Sequence, residues 1–175
     1  MIEEEITRAK ALYSSDGENL KRENQLAESI RKYKLALSKT YAQMARGGVA
    51  EACSICATKE EGGCCFEGVE EWYDTISLLI NLLMGAGLPR TREVPGGCLF
   101  VGRKGCKLVA RHAFCVNYLC PHLLAFMGES ERAKLLSISG EELLCGWEME
   151  KSVRRWLMDH PPQSSLSLEE SERMR

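Results

Sequence analysis

The first third of the chain repeats apolar side chains at three- and four-residue steps. Between residues 26 and 44 these side chains fall on one face of a helix, and two glycines at 47–48 end the pattern. The polar run at 14–17 interrupts the periodicity earlier in the chain. We therefore expect a separate short helix over residues 2–13, followed by a long helix for which Asp16 is the N-cap.

A second apolar pattern covers residues 69–83. It becomes apolar on nearly all sides in its later turns, and the glycines and proline of residues 85–89 stop it. This predicts a helix whose end is deeply buried. Beyond it, residues 89–120 are rich in glycine and cysteine and predict irregular structure, with weak strand signals near 99–101 and 107–110.

Helical periodicity returns after the irregular region. A proline opens a short predicted helix at residues 121–127. Ser130 is placed to cap a further helix over residues 131–138, and the sequence SGE at 139–141 is placed to open a last long helix. That helix is expected to end before His160, which two prolines follow.

Length and charge exclude several classes of protein. The 175 residues are enough for one domain with its own core. The formal net charge of -2 is unlike that of a general nucleic-acid binder, so no nucleic-acid partner is expected. The longest apolar run, residues 76–88, is shorter than the roughly 20 residues that span a bilayer. The acidic start MIEEEITRAK lacks the basic and apolar regions of a secretory signal, so we expect a cytoplasmic protein without a membrane contact.

Cysteine is the one residue type that is unusually abundant. The chain has nine, and the ninth, Cys145, shares a helical stripe with Met149 and Val153 and is interpreted as a core residue. In a reducing compartment such a density of thiols favours metal ligands over disulfides. The other eight form two groups, spaced C-x2-C-x7-C-C and C-x7-C-x8-C-x4-C: Cys53, Cys56, Cys64, Cys65, Cys98, Cys106, Cys115 and Cys120.

The spacing is compatible with two kinds of metal centre. The C-x2-C step lets two sulfurs converge on one metal. A structural zinc site usually offers two short pairs, whereas an iron–sulfur cluster is larger and tolerates longer, irregular gaps. Eleven of the fifteen glycines lie between positions 47 and 105, where they would let backbone N–H groups approach sulfur. Loop composition alone explains part of this bias.

The two cysteine-bearing segments carry opposite charges. Residues 51–71 hold six acids and one lysine, and residues 90–122 hold six basic residues and one acid. Opposite charges predict that the segments attract each other, and the cations would also offset the negative charge of a thiolate-bound cluster. The alternative is that these are ordinary solvated surface charges.

The order of the cysteines and their neighbours resembles one protein family. Over roughly residues 50–122 the chain is similar to the bacterial zinc- or iron-chelating domain proteins (the YkgJ family). It departs from the family in three places. Seven residues precede the adjacent cysteine pair, more than is usual, His112 stands where proline is usual, and Val109 or Ala110 stands where tyrosine is usual. The resemblance implies metal chelation by the eight cysteines and a cofactor-binding role for Arg111, and it supplies no reaction. Besides the eight cysteines, the matching positions are Phe100, Leu108 and Arg111.

These observations predict a mainly α fold: a small helical bundle with two irregular cysteine-rich loops that close over a metal site. We expect a single domain over residues 1–162, with N-terminal helices at 2–46, a metal-binding core at 50–122 and C-terminal helices at 122–159. Residues 163–175 are polar and predict a disordered tail.

The predicted function is that of a metal-binding protein with an iron–sulfur cluster of the four-iron type. Its task would be electron transfer, redox sensing or assistance to a partner enzyme, so a protein partner is expected. One alternative is a structural zinc-binding interaction module, and another is a methyltransferase-like enzyme accessory.

No catalytic residue is assigned, because no spacing supports a Ser-His-Asp or Cys-His pair. His112 could join the metal ligands, the alternative being an exposed histidine beside the arginine that precedes it. Glu70, Glu71 and Asp74 could also join a metal site, although the dipole of the predicted helix accounts for acids in its first turns.

Overall fold

The fold is given by a computed structural model, which describes residues 1–57 and 63–161. The expected disordered tail therefore lies outside the described residues. The structure is mainly helical, as the sequence predicts. Its elements, in chain order, are α1 (Ile2–Arg22), α2 (Asn24–Arg46), α3 (Val49–Ala57), a 3-10 helix (Val69–Trp72), α4 (Thr75–Leu83), β1 (Val101–Gly102), β2 (Gly105–Cys106), α5 (Ala113–Asn117), α6 (Pro121–Phe126) and α7 (Glu129–Asp159).

Two helix pairs build the main core. Helix α2 packs along α7, and α1 packs along α4. A second, smaller apolar cluster lies apart from this core and consists of Val49, Leu123 and Leu135, with side chains of α3 and α6 against it. No helix within the described ranges is long and apolar enough to cross a membrane. The largest fully buried apolar side chains include Phe100, Leu20, Leu26, Leu78, Leu79, Leu108 and Met149.

The predicted break at residues 14–17 is wrong, because α1 continues through it. Gly17 is buried under the ring of Tyr13, and a Cβ at this glycine would meet that ring at 2.9 Å. The glycine is therefore needed for close packing and does not end the helix. The chain breaks instead at Glu23, whose side chain accepts a hydrogen bond from the N–H three residues later (2.6 Å) and caps α2 in place of Asp16.

The single helix predicted over residues 69–83 is two elements. The 3-10 helix ends at an extended Tyr73, and α4 starts after it. Asp74 is the N-cap of α4 and accepts a hydrogen bond from the N–H of Ser77 (2.8 Å). The far end of α4 is deeply buried, as predicted, and Gly85 with a φ of 91° follows it.

The predicted break at 139–141 is also wrong. A single helix, α7, replaces the two that were expected, and it ends before His160 as predicted. The buried Ser139 remains helical because its hydroxyl donates to the Leu136 carbonyl (3.1 Å) inside the same helix. The long contact between α2 and α7 therefore overrides the local preference of the Ser-Gly pair.

The β structure of the described residues is a two-strand hairpin and one isolated antiparallel bridge between Phe66 and Gly97. Val101 pairs with Cys106 and Gly102 with Gly105 in antiparallel register. The weak strand signal at 99–101 partly coincides with this hairpin. The signal at 107–110 is wrong, because a side chain of α4 binds the backbone there instead.

Candidate metal centre

The first two cysteines lie on a helix and not in the predicted loop. Helix α3 starts directly after Gly48, which has a φ of 70°, and it carries Cys53 and Cys56. Residues three apart share one face of a helix, so both thiols leave α3 on the same side. Cys53 packs against the small apolar cluster of Val49, Leu123 and Leu135.

Thiols from both sequence groups act on Cys53. Cys120, at the N-cap of α6, packs against the same small cluster. Burial is the largest cause that raises the pKa of Cys53 to about 11, and the Cys64, Cys120 and Cys56 thiols contribute in that order. Because charge interactions weaken with distance, these effects place the three thiols near Cys53. We call these four residues the Cys53 group: Cys53, Cys56, Cys64 and Cys120.

Three further thiols form a second group, the Cys98 group: Cys98, Cys106 and Cys115. Burial raises the pKa of Cys98 to about 12, with Cys106 and Cys115 contributing. Burial also raises the pKa of Cys115 to about 11, and there the neighbouring thiols are Cys106 and Cys64. The two groups therefore adjoin where Cys115 approaches Cys64.

Cys65 joins the two segments through its backbone. Its carbonyl accepts a hydrogen bond from the N–H of Cys98 (2.8 Å), and the N–H of Glu67 donates to the Gly96 carbonyl (3.0 Å). The Cys65 side chain packs against the main core. A hydrogen bond with the Cys65 thiol is the largest cause that raises the pKa of Cys64.

An ion pair confirms the predicted attraction between the acidic and basic segments. Arg92 contacts the carboxylates of Glu70 and Glu67 and donates to the Gly97 carbonyl. Glu70 is 1% exposed. Burial raises its pKa, but the Arg92 contact and a hydrogen bond from the Gly68 N–H (3.0 Å) outweigh this, so the pKa is lowered. The Glu70 carboxylate is thus engaged in holding the segments together.

Asp74 and His112 also have structural partners. Besides capping α4, Asp74 contacts Arg154 (2.6 Å). His112 is partly buried and not exposed, because its ring packs against Trp72 and Tyr73 at centroid distances of 5.5 and 5.9 Å. Its Nδ1 accepts a hydrogen bond from the backbone two residues later (3.2 Å) as the N-cap of α5, and burial lowers its pKa.

A buried asparagine fixes the loop between Cys106 and Cys115. Asn81 of α4 is fully buried. Its Oδ1 accepts from the N–H groups of Val109 (3.0 Å) and Ala110 (2.9 Å), and its Nδ2 donates to the carbonyls of Ala110 (2.9 Å) and Ser77 (3.0 Å). Sequence reasoning missed this residue. The available signal was an amide side chain in the middle of the apolar run ISLLINLLM, where the only other polar residue is Ser77.

Arg111 follows this fixed loop and lies between the two thiol groups. Its guanidinium stacks on the Tyr41 ring at 5.0 Å and contacts the Met44 sulfur at 3.4 Å. Its charge lowers the pKa of both Cys53 and Cys115, although burial leaves both values raised. The Nε atom is buried and has no hydrogen-bond partner among the described residues. A fixed cation therefore stands near the thiols.

Glu142 is a second polar residue that sequence reasoning missed. It is 0% exposed on the face of α7 that meets α2, and neither carboxyl oxygen has a hydrogen-bond partner in the described part of the chain. Burial raises its pKa, and the nearby Thr40 hydroxyl and Arg111 charge lower it by less. The adjacent Glu141 is exposed and pairs with Lys39 (3.3 Å).

Cys145 lies on α7, half-buried against the main core. Burial raises its pKa, and the neighbours that contribute are Glu148 and Glu141 together with Lys32 and Lys39. This environment is that of a core cysteine, in agreement with its interpretation from the sequence.

The side chains of the site are of the type that binds zinc or iron as thiolates. Raised pKa values mean that the Cys53 and Cys115 thiols are protonated at neutral pH without a nearby metal. Within residues 1–57 and 63–161, no three His, Cys, Asp or Glu side chains are arranged to bind one metal ion together. The thiols therefore lie near one another without ligand geometry.

Comparisons with protein-family models, with curated proteins and with solved structures find no match for this chain.

Proposed function

We propose that this chain is a metal-binding protein whose cysteines hold an iron–sulfur cluster. The observation that carries the proposal is that Cys53 of the first sequence group and Cys120 of the second pack against the same small apolar cluster. The raised pKa of Cys53 agrees with this, because Cys64, Cys120 and Cys56 all contribute to it. Neighbouring thiolates repel each other, and without a metal the thiols avoid this repulsion by keeping their protons. A bound metal supplies a positive charge and keeps the thiols deprotonated.

The Cys53 group has the right number of donors for one centre. Four thiolates are the ligand set of a four-iron cluster and also of a tetrahedral zinc site. When bound, an iron–sulfur cluster would supply one-electron chemistry. Arg111, whose charge acts on thiols of both groups, would offset the negative charge of the centre and raise its reduction potential.

The Cys98 group exceeds the needs of one cluster. Its three thiols would bind a second metal, exchange with ligands of the first or serve packing alone. Because the thiols lack ligand geometry, binding must draw them closer together, and this couples metal affinity to the ordering of the cysteine segments. The proposed task is electron transfer, redox sensing or assistance to a partner enzyme.

A structural zinc site is the second candidate, and one observation favours it. Cys53 lies on α3 and Cys120 is the N-cap of α6, two short helices that pack against the same small apolar cluster. A cluster of this size stabilises its helices weakly, and a metal that joined them would add the missing stability. In this case the metal would stabilise the conformation of an interaction surface and would have no redox role.

Isolation under oxygen-free conditions tests both candidates. Iron and sulfide in stoichiometric amounts, with a broad visible absorbance, support the cluster, whereas a colourless protein with stoichiometric zinc supports the second candidate. We expect Cys53→Ser and Cys120→Ser to lose most of the metal, and Cys145→Ser, the matched control, to retain it. Absence of all three elements, even after reconstitution with iron and sulfide or with zinc, would overturn the proposal.

A further inference from the structure

A cleft of about 380 Å³ lies beside the Cys98 group. Its walls come from the 3-10 helix, from residues 110–113 and from the middle of α7. Tyr33 and Tyr73, each 4% exposed, lie at its base. The volume falls within the range of small-molecule sites.

Two exposed indoles line this cleft. Trp72 is 43% exposed and Trp147 is 56% exposed, although large aromatic side chains are usually well buried. The third tryptophan of the chain, Trp156, stacks on His160 at a centroid distance of 4.3 Å outside this cleft. Exposed indoles in a concave site offer flat apolar faces on which another ring can stack.

His112 supplies a hydrogen-bond donor to the cleft. Because Nδ1 of His112 already accepts a hydrogen bond, the neutral ring carries its proton on Nε2. Arg111 also lines the cleft, but its Nε atom is buried and out of a ligand's reach. The acids at the cleft, Asp74 and Glu150, both contact Arg154, at 2.6 and 2.7 Å. A ligand would therefore meet one imidazole donor beside aromatic faces.

We propose that this cleft binds a planar, multi-ring heteroaromatic molecule of the flavin class. The ring stacks on Trp72 or on the face of Trp147 that Lys151 leaves open, since the Lys151 ammonium lies 4.4 Å from the centroid of that indole. A carbonyl or ring-nitrogen acceptor at the edge of the ligand receives a hydrogen bond from Nε2 of His112. A three-ring heterocycle suits the size of the cleft and its aromatic lining.

The cleft lies next to the Cys98 group, so a ligand in it would be close to the proposed metal centre if the proposed function holds. The hydroxyl of Tyr73 accepts a hydrogen bond from the N–H of His112 (2.7 Å) and also bonds the Cys115 thiol. One side chain thus separates the cleft from the Cys98 group. A redox-active ring would lie next to the proposed metal centre, but its binding requires no metal.

Titration of the full-length protein with lumiflavin, the flavin ring without its side chain, tests this inference. We expect saturable one-to-one binding, seen as quenching of lumiflavin and tryptophan fluorescence. Trp147→Ala and His112→Ala should each weaken binding about tenfold, the size of one stacking contact or directed hydrogen bond. Trp156→Phe, the matched control, should bind as the unchanged protein does. Circular dichroism of each variant verifies that it is folded, and Trp147 is exposed enough that its removal leaves the core intact.

Two results would overturn the inference: no saturable binding up to the solubility limit of lumiflavin, or equal affinity for the unchanged protein and both cleft variants. The outcome is separable from that of the metal proposal. If metal-free protein binds lumiflavin, the cleft proposal is supported whatever the metal analysis gives. If metal-loaded protein does not bind lumiflavin, the cleft proposal is contradicted and the metal proposal is not.

Discussion

Glu142 and Glu141 are adjacent and chemically identical, yet their surroundings differ completely. Glu141 lies in solvent beside Lys39, and Glu142 is buried between α2 and α7 without a hydrogen-bond partner among the described residues. A buried carboxylate without partners is costly, so its proton is held more tightly. Arg111 is close enough to act on Glu142 as well as on the thiols, and it therefore links this acid to the candidate metal centre electrostatically.

The raised pKa of Glu142 predicts how Glu142→Gln changes stability with pH. An acid with a raised folded pKa contributes its stability below its ordinary value of 4.5, and that contribution is lost as the pH rises through the folded pKa. At pH 7 the neutral glutamine should therefore be the more stable by about 1 kcal/mol, and the difference should vanish below about pH 4. Urea unfolding at both pH values measures this.

Glu141→Gln is the matched control and should change stability by less than about 0.5 kcal/mol at either pH, because its ion pair is exposed. If Glu142→Gln destabilised the protein at pH 7, the carboxyl would have to be ionised and stabilised by Arg111, which contradicts a raised pKa for Glu142.

At the scale of elements, the irregular segments are positioned by buried polar groups that belong to regular elements. Asn81 of α4 fixes residues 109–110, and Glu70 of the 3-10 helix binds Arg92 near Cys98. Such bonds replace the ladder that a longer sheet would provide for these backbone groups. The cysteine-bearing loops therefore depend on α4 and the 3-10 helix for their position.

Asn81→Leu should destabilise the protein strongly. The substitution keeps the side-chain size but leaves the N–H groups of Val109 and Ala110 and one carbonyl buried without partners, at a cost of about 3 kcal/mol or more. Denaturant unfolding measures the loss. Asn24→Leu, at an exposed position in the first turn of α2, is the control and should stay within about 0.5 kcal/mol of the parent. Equal stability of the two variants would show that the Asn81 bonds contribute nothing.

The whole molecule combines a main core with a small satellite. The main core holds α1, α2, α4 and the later part of α7 together by apolar packing. The satellite cluster, with Cys53 and Cys120 against it, joins α3, α6 and the start of α7. Apolar burial of such different extent predicts different local stability, with the satellite opening first.

Metal removal should therefore act on part of the molecule. If the proposed centre exists, a chelator should increase amide hydrogen exchange in α3 and in residues 98–120, while α1 and α4 keep their protection because apolar packing holds them. Exchange followed by mass spectrometry on metal-loaded and chelated protein measures this. Global unfolding on chelation, or an unchanged exchange pattern, would contradict the division into two parts.

Much of the fold follows from local signals, and two of the errors share one cause. The helical class, the end of α2 near Gly47, the start of α6 at Pro121 and the end of α7 before His160 were predictable, because proline, glycine and apolar periodicity act within a few residues. The breaks predicted at 14–17 and 139–141 were wrong because helix–helix packing offsets a weak local preference.

For the candidate site, the sequence by itself determined which chemistry is available: eight thiols, an arginine and two segments of opposite charge. Only the tertiary structure decided their grouping, since Cys120 lies with Cys53 and not with the cysteines nearest to it in the chain. It alone also separated Glu142 from Glu141 and gave Asn81 its bonds. The physical reason is that periodicity reports which face of an element is apolar, whereas burial, pKa and proximity depend on side chains that are distant in the chain and meet only in the folded molecule.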